Sequence, residues 1–208
     1  MRKTIALAHE RGVSIGAHPS YPDRPGFGRR EIGLPMDAIL VSFAEQVKAM
    51  MECCELEGAR LRYVKPHGAL YNRAARDEEL AYIIVGIILS FDSSLMLLGL
   101  SGSVMETLSL RRGLSFAREA FIDRAYMADG SLVPRTENGA VVDDPQVAAN
   151  RAVEIVTRKE LTAIDGTRVA LPADSLCVHG DSRNAIETVT IARAALEKSG
   201  YSIAPFAK

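Results

Sequence analysis

Cysteine is scarce and badly spaced for a framework. Cys53 and Cys54 are neighbours, Cys177 lies far away, and no CxxC pair occurs. An odd, irregular set argues against a disulfide scaffold or a zinc ribbon and fits the reducing cytoplasm. An excess of one charge is also missing. Lys and Arg number 25 against 26 Asp and Glu, a net charge of −1. No broad basic field is therefore present to recruit nucleic acid or an anionic membrane. Arg29-Arg30 and Arg111-Arg112 are short basic pairs of the kind a solvated face carries. Long apolar runs are lacking too. The most apolar stretch, Leu80 to Leu89, is too short to span a bilayer and contains Tyr82 and Gly86, so it reads as a buried helix. Neither a GxGxxG nor a Walker-type loop is found, which removes the usual nucleotide-binding fingerprints.

What is present is regular alternation. The chain has 208 residues and 48% hydrophobic content, enough for one domain (1–208) with a real core. An opening helix carries Ile5 and Ala8 on one face and stops at Gly12, with no cap residue before it. Val13–Ala17 then reads as a strand, followed by a Pro/Gly-rich loop from His18 to about Gly33. Pro35 opens a helix that carries Ile39, Phe43, Val47 and Met50 on one side and stops at Gly58. Further strands are expected at Leu61–Lys65, Leu95–Leu100, Phe116–Asp123, Ser175–His179 and Tyr201–Phe206. Helices are expected from Asp77 to Ser90, Ser103 to Arg112, Asp144-Pro145 to Lys159 and Ser182 to Lys198. Asp165-Gly166 marks a hairpin between Leu161–Ile164 and Thr167–Leu171. Strands alternating with helices imply an α/β fold with mostly parallel pairing, and periodicity alone leaves an open sheet and a barrel as alternatives.

Three of the four histidines, His18, His67 and His179, close apolar runs and open polar loops. Strand C-termini are where α/β folds build their sites. His18 lies in a loop dense in Pro and Gly that also holds Tyr, Asp and Arg, more functional groups than a plain connector needs. Lys65 and His67 flank Pro66 and point the same way in an extended chain. Lys65 suits a phosphate, carboxylate or carbonyl, His67 a proton, and Asn72 the orientation of water or substrate. Glu119, Phe121 and Asp123 share a face by period-two counting, with Arg124 and Arg135 as candidate partners for the acids. His179 and Asp181 share a face if the strand persists; Asp181 is then an orienting carboxylate, or the cap of the next helix, or both. His9, on the opening helix, reads as a surface residue.

Together these segments resemble the LamB/YcsF family. The matching elements are Gly16-Ala-His-Pro with Pro25-Gly-Phe-Gly-Arg-Arg, Val64-Lys-Pro-His-Gly-Ala-Leu-Tyr-Asn, Phe121-Ile-Asp-Arg-Ala-Tyr with Asp129-Gly and Leu132-Val-Pro-Arg, and Cys177-Val-His-Gly-Asp. The resemblance implies a (β/α)7-barrel-like fold related to glycoside hydrolase and deacetylase barrels. It also implies the activity of the 5-oxoprolinase A subunit: ATP-dependent opening of 5-oxo-L-proline to L-glutamate together with partner subunits B and C. On that basis His18, His67 and His179 are the expected acid/base groups, and Asp123 and Asp181 orient them. Lys65 and Arg124 are expected to bind phosphate or carboxylate, with Asn72, Tyr71 and Glu119 completing a substrate-binding set. The family pattern begins with two strands, one bearing an Asn-Cys-Asp-type motif and one a Cys-Gly-Phe-His-Ala-Gly-Asp motif, and this sequence opens after them. The expectation is an N-terminally truncated domain, inactive by itself, whose exposed strand edges are a liability for aggregation or homo-oligomerisation, or else a chain whose gap is covered by partner chains.

Two other readings compete. Histidines with Asp181 holding a divalent metal such as zinc would make a hydrolase of deacetylase type, although no HxxxH pair occurs. A non-catalytic fragment that only binds partner subunits is the third.

Overall fold

The computed structural model describes residues 1–207 and contains two compact units. One comprises Met1–Ala117 with the residues from Pro205 onward, and the other Arg118–Ala204.

The first unit is built from helix α1 (Arg2–Glu10), strand β1 (Ile15–Ala17), helix α2 (Met36–Leu56), strand β2 (Leu61–Val64), helices α3 (Gly68–Ala74) and α4 (Glu78–Phe91), strand β3 (Met96–Leu100) and helix α5 (Val104–Arg112). Strands β1 and β2 run parallel, with Ile15 opposite Leu61 and Ala17 opposite Val64, and β2 pairs with β3 in the same sense. The β1–β2 register shifts between Ile15 and Gly16. A side chain at Gly16 would meet the Tyr63 ring at 2.2 Å, so only glycine fits there.

The helices bury the faces that their periodicity predicts. Ile39, Phe43 and Val47 of α2 are fully buried, each contributing about 1.5–3 kcal/mol of hydrophobic stabilisation, whereas Met50, expected on the same face, is only half-buried. Helix α4 is the buried helix expected of the most apolar stretch: Leu80, Ala81, Ile84, Val85 and Ile88 are all inside. Its start is set by the Asp77 carboxylate, which accepts the Leu80 N–H at 3.0 Å. Ser103 caps α5, and Gly113 ends it in the left-handed region at φ 75°. No helix among the described residues is long and apolar enough to cross a membrane.

Strand β4 (Ser115–Phe121) opens at the end of the first unit and continues into the second. There follow helix α6 (Pro145–Arg158), strands β5 (Glu160–Thr162) and β6 (Arg168–Ala170), strand β7 (Ser175–Cys177) and helix α7 (Ala185–Lys198). Strand β7 lies parallel to β4, with Glu119 opposite Ser175 and Phe121 opposite Cys177. A fork from Arg118 to the Asp174 carboxylate, 2.8 and 2.9 Å, fixes that register just before β7 begins. Strands β5 and β6 form the expected antiparallel hairpin around Asp165-Gly166. Helices α6 and α7 pack against each other, and Asp144 caps α6 through the Gln146 and Val147 N–H groups.

Several local expectations need correction, and one helix has no counterpart among them. Pro35 has ψ 149° and stands just outside α2 rather than in its first turn. Helix α3, only seven residues long and starting at a glycine, lacks the length that shows helical periodicity. Tyr201–Phe206 forms no strand; Tyr201 donates its N–H back to Leu196 at the end of α7. Strand β7 stops at Cys177, two residues short of His179, and a turn at 182–184 delays α7 until Ala185. The N-cap of α7 is therefore Asn184, and Asp181 does not cap it.

Candidate active site

In the first unit, the ends of β1 and β2 hold His18 and His67 in one hydrogen-bonded chain. Lys65 N–H donates to the Ala17 carbonyl (2.9 Å) and His67 N–H to the Pro19 carbonyl (2.8 Å), so both histidines leave their strands at the same level. His18 Nδ1 lies 2.7 Å from the Lys65 carbonyl, and its Nε2 lies 2.9 Å from His67 Nδ1. His67 Nε2 reaches the Phe27 carbonyl at 2.8 Å. The two imidazoles meet edge to face with centroids 4.6 Å apart, and the Phe27 ring approaches His67 in the same manner at 5.3 Å.

The loop is bent to make this contact. Phe27 and Gly28 are both left-handed, at φ 54° and 65°. For phenylalanine that conformation is strained by about 1–3 kcal/mol and persists only where neighbouring bonds impose it. Here they do. Asp23 accepts Gly26 N–H and a two-bond fork from Arg30, and its backbone carbonyl accepts Gly28 N–H. The Arg30 bond and charge outweigh burial and hold the Asp23 carboxyl below its ordinary value. Downstream, Gly68 is left-handed at φ 61°, and its absent side chain lets the Gly28 carbonyl approach and accept Ala69 N–H at 2.9 Å. Lys65 Nζ lies 5.9 Å from the centre of the buried Tyr71 ring, while Asn72 is exposed on α3.

In the second unit, Asp123 and His179 form a dyad. Asp123 is 3% exposed. One of its oxygens accepts His179 backbone N–H at 2.8 Å, and both lie 2.9–3.0 Å from His179 Nδ1. Burial alone would raise the Asp123 carboxyl, but the bonds and charge of His179 outweigh it and hold the group below its usual value. A carboxylate accepts only, so Nδ1 carries the proton and Nε2 presents its lone pair. Phe121 stacks on the imidazole at 5.5 Å and 22°. That is the geometry of an oriented general base.

The backbone under the dyad is pinned by Arg151, which the sequence patterns do not single out, and by Tyr126 of the Phe121–Tyr126 motif. Arg151 of α6 donates from Nε to the Ile122 carbonyl at 3.0 Å and from its terminal nitrogen to the Arg124 carbonyl. Burial lowers its pKa, yet it serves two carbonyls flanking Asp123. The Tyr126 hydroxyl accepts Phe121 N–H at 2.7 Å, and complete burial pushes that phenol far above its ordinary pKa. Arg151 gave no signal beyond one polar residue in an amphipathic helix.

Arg124 sits in the dyad's motif but is 4% exposed and donates to the carbonyls of Val133 and Ala140. Through those two carbonyls it braces the 124–140 loop. Glu119 is buried on β4 (2% exposed), and Asp181 is exposed beyond His179. Among the described residues no three His, Cys, Asp or Glu side chains lie together as a metal-ligand set.

The LamB/YcsF family model matches residues 1–208. The 5-oxoprolinase A subunit of Streptomyces coelicolor is 46% identical over 207 residues, covering 100% of this chain and 83% of that protein. The protein of the same name from Symbiobacterium thermophilum is 45% identical over 203 residues, covering 98% and 78%. The crystal structure of the lactam utilization protein from Thermus thermophilus superposes with a TM-score of 0.88 at 40% identity, covering 97% of this chain and 81% of that one. Its α/β, barrel-like fold class is the one expected here. A putative cellobiose-phosphate cleavage protein from Enterococcus faecalis shares the fold alone, at TM-score 0.55 and 13% identity. From the four motifs, the whole-length match and these relatives, the chain belongs to the LamB/YcsF family.

Proposed function

We propose that this chain works as the A subunit of a 5-oxoprolinase. Such a lactam hydrolase opens 5-oxo-L-proline to L-glutamate with ATP and two partner subunits, B and C, in the cytoplasm. The observation that carries the reading is the Asp123–His179 dyad, set in a chain whose relatives bear that name.

A five-membered lactam is a resonance-stabilised amide, and water does not open it without activation. ATP supplies that activation as the complex's second substrate, by transferring its terminal phosphoryl group to the lactam oxygen. Water then adds to the activated carbon while Nε2 of His179 takes its proton. The C–N bond breaks and that proton passes to the departing nitrogen, which leaves the new carboxyl as an acyl phosphate; a second water cleaves that anhydride to carboxylate and phosphate. The products are glutamate, ADP and phosphate. Positioned acid/base groups of this kind contribute about 10²–10⁴-fold. Asp123 keeps the imidazole in the productive tautomer and stabilises the imidazolium formed on proton uptake. In the first unit, Lys65 with Tyr71 and Asn72 is a candidate set for an anionic group such as a carboxylate or phosphate, a charge-to-charge contact suited to an ammonium on a flexible stem.

The test is reconstitution. The purified chain is combined with candidate B and C subunits, 5-oxo-L-proline and ATP, and glutamate and phosphate are followed together. Equimolar release that requires this chain is expected. Glutamate formed equally well without it, or no turnover by the complete mixture, contradicts the reading.

A further inference from the structure

The first unit has a cavity of about 420 Å³ at the amino ends of β1 and β2, away from the strand ends that carry His18 and His67. Three basic side chains line it, His9, Arg60 and Arg62, beside the apolar Val13, Ile15 and Ala207. Among the described residues no acidic side chain lines it.

Two of the three bases have an ordinary setting. Arg60 reaches the Asp92 carboxylate at 3.1 Å and the Ser94 hydroxyl at 2.9 Å, and His9 is exposed at the end of α1. Arg62 differs. It is half-buried on β2, and among the described residues it has neither a hydrogen-bond partner nor an ion pair. Glu57, just before the lining begins, is taken by Arg2. A guanidinium drawn out of water is ordinarily paired, because its N–H donors otherwise lose hydration without compensation. The tail of the chain forms one wall. Ala207 is buried, its carbonyl accepts the Ser14 hydroxyl, and the Phe206 ring lies 5.0 Å from the Tyr63 ring.

We propose that this cavity binds a small organic carboxylate with an apolar body, its two oxygens forked on Arg62. The charge matches, since one unpaired guanidinium offers a single positive charge on a planar fork of carboxylate shape. The remainder of the lining matches too, since Val13, Ile15 and Ala207 present carbon surface to the body of such a ligand. The volume falls within the range of about 300–1,000 Å³ usual for small-molecule pockets. The site stands apart from the His18–His67 end of the same strands and does not depend on the lactam chemistry proposed above.

Benzoate and its neutral isostere benzamide test this on the whole chain, followed by ¹H–¹⁵N spectra and melting temperature. Benzoate is expected to saturate, with the Ser14, Arg62 and Ala207 amides shifting together. Benzamide on the wild-type chain and benzoate on Arg62→Met should each bind about 10–100-fold more weakly, as expected for losing a hydrogen bond to a charged group. Methionine keeps the packing of the arginine stem and removes an unpaired charge, so the ligand-free melting temperature should hold or rise. A clear fall would reveal a partner for Arg62 within the fold and overturn the proposal. Equal binding of benzoate and benzamide, undiminished benzoate binding by the variant, or no saturable shift at those amides would each overturn it as well. The competing anion is the terminal carboxylate of Lys208, which a Gly-Ser-Gly extension carries further along the chain. Benzoate binding that arises only in the lengthened chain would assign Arg62 to that terminus and overturn the proposal.

Discussion

Replacing His179 with glutamine is expected to slow turnover by the assembled complex by about 10²–10⁴-fold, read as glutamate formed from 5-oxo-L-proline. Glutamine is close to imidazole in size and still offers an N–H toward Asp123, so the buried carboxylate keeps a partner. What is lost is the lone pair on Nε2, the only part of the dyad free to take a proton from water. Substrate affinity should change much less than kcat, because the interaction removed belongs to the transition state. Steady-state kinetics of glutamate release measures both. A variant that keeps wild-type kcat would remove His179 from the chemistry.

The largest expected effect on stability comes from Gly68→Ala. Gly68 has φ 61°, a region that costs a side-chain-bearing residue about 1–2 kcal/mol. The added Cβ would also lie 2.4 Å from the Gly28 carbonyl oxygen, which is backbone. That oxygen cannot withdraw freely, because it accepts Ala69 N–H at 2.9 Å and follows the strained Phe27. The loop must move away as a body, losing the His67–Phe27 bond with it. A total loss of about 2–4 kcal/mol is expected, read as a fall in melting temperature of roughly 5–15 °C for a chain of this size. An unchanged melting temperature would show that the loop is not seated against Gly68 as described.

Much of this was legible in the sequence because the signals were local. The caps Asp77, Ser103 and Asp144, the Asp165-Gly166 turn and the buried face of Ile39, Phe43 and Val47 each depend on a few neighbouring residues. The placement of His18, His67 and His179 at strand ends also followed from where apolar runs stop. What could not be read was which groups each polar side chain would find. Arg124 and Asp123 are sequence neighbours, yet one braces a loop through carbonyls and the other anchors a histidine 56 residues away. Period-two counting put Glu119 and Asp123 on one strand face, but the strand ends at Phe121, and the orientation of Asp123 is set by Arg151 and Tyr126 around it. His179 was matched in sequence with Asp181 and meets Asp123 in space, because parallel pairing of β4 with β7 brings their ends together. The contact between His18 and His67 is likewise a product of parallel strands, not of sequence spacing.

The proposed chemistry requires Asp123 to hold His179 with its Nε2 lone pair available. The pH dependence of kcat/KM for Asp123→Asn in the assembled complex tests this most directly. An asparagine can accept the His179 backbone N–H through its oxygen and donate its amide to Nδ1, which puts the ring proton on Nε2 and blocks the base. The predicted result is a loss of about 10²–10⁴-fold across the pH range. Wild-type kcat/KM across the pH range would contradict the assignment of His179 as the base.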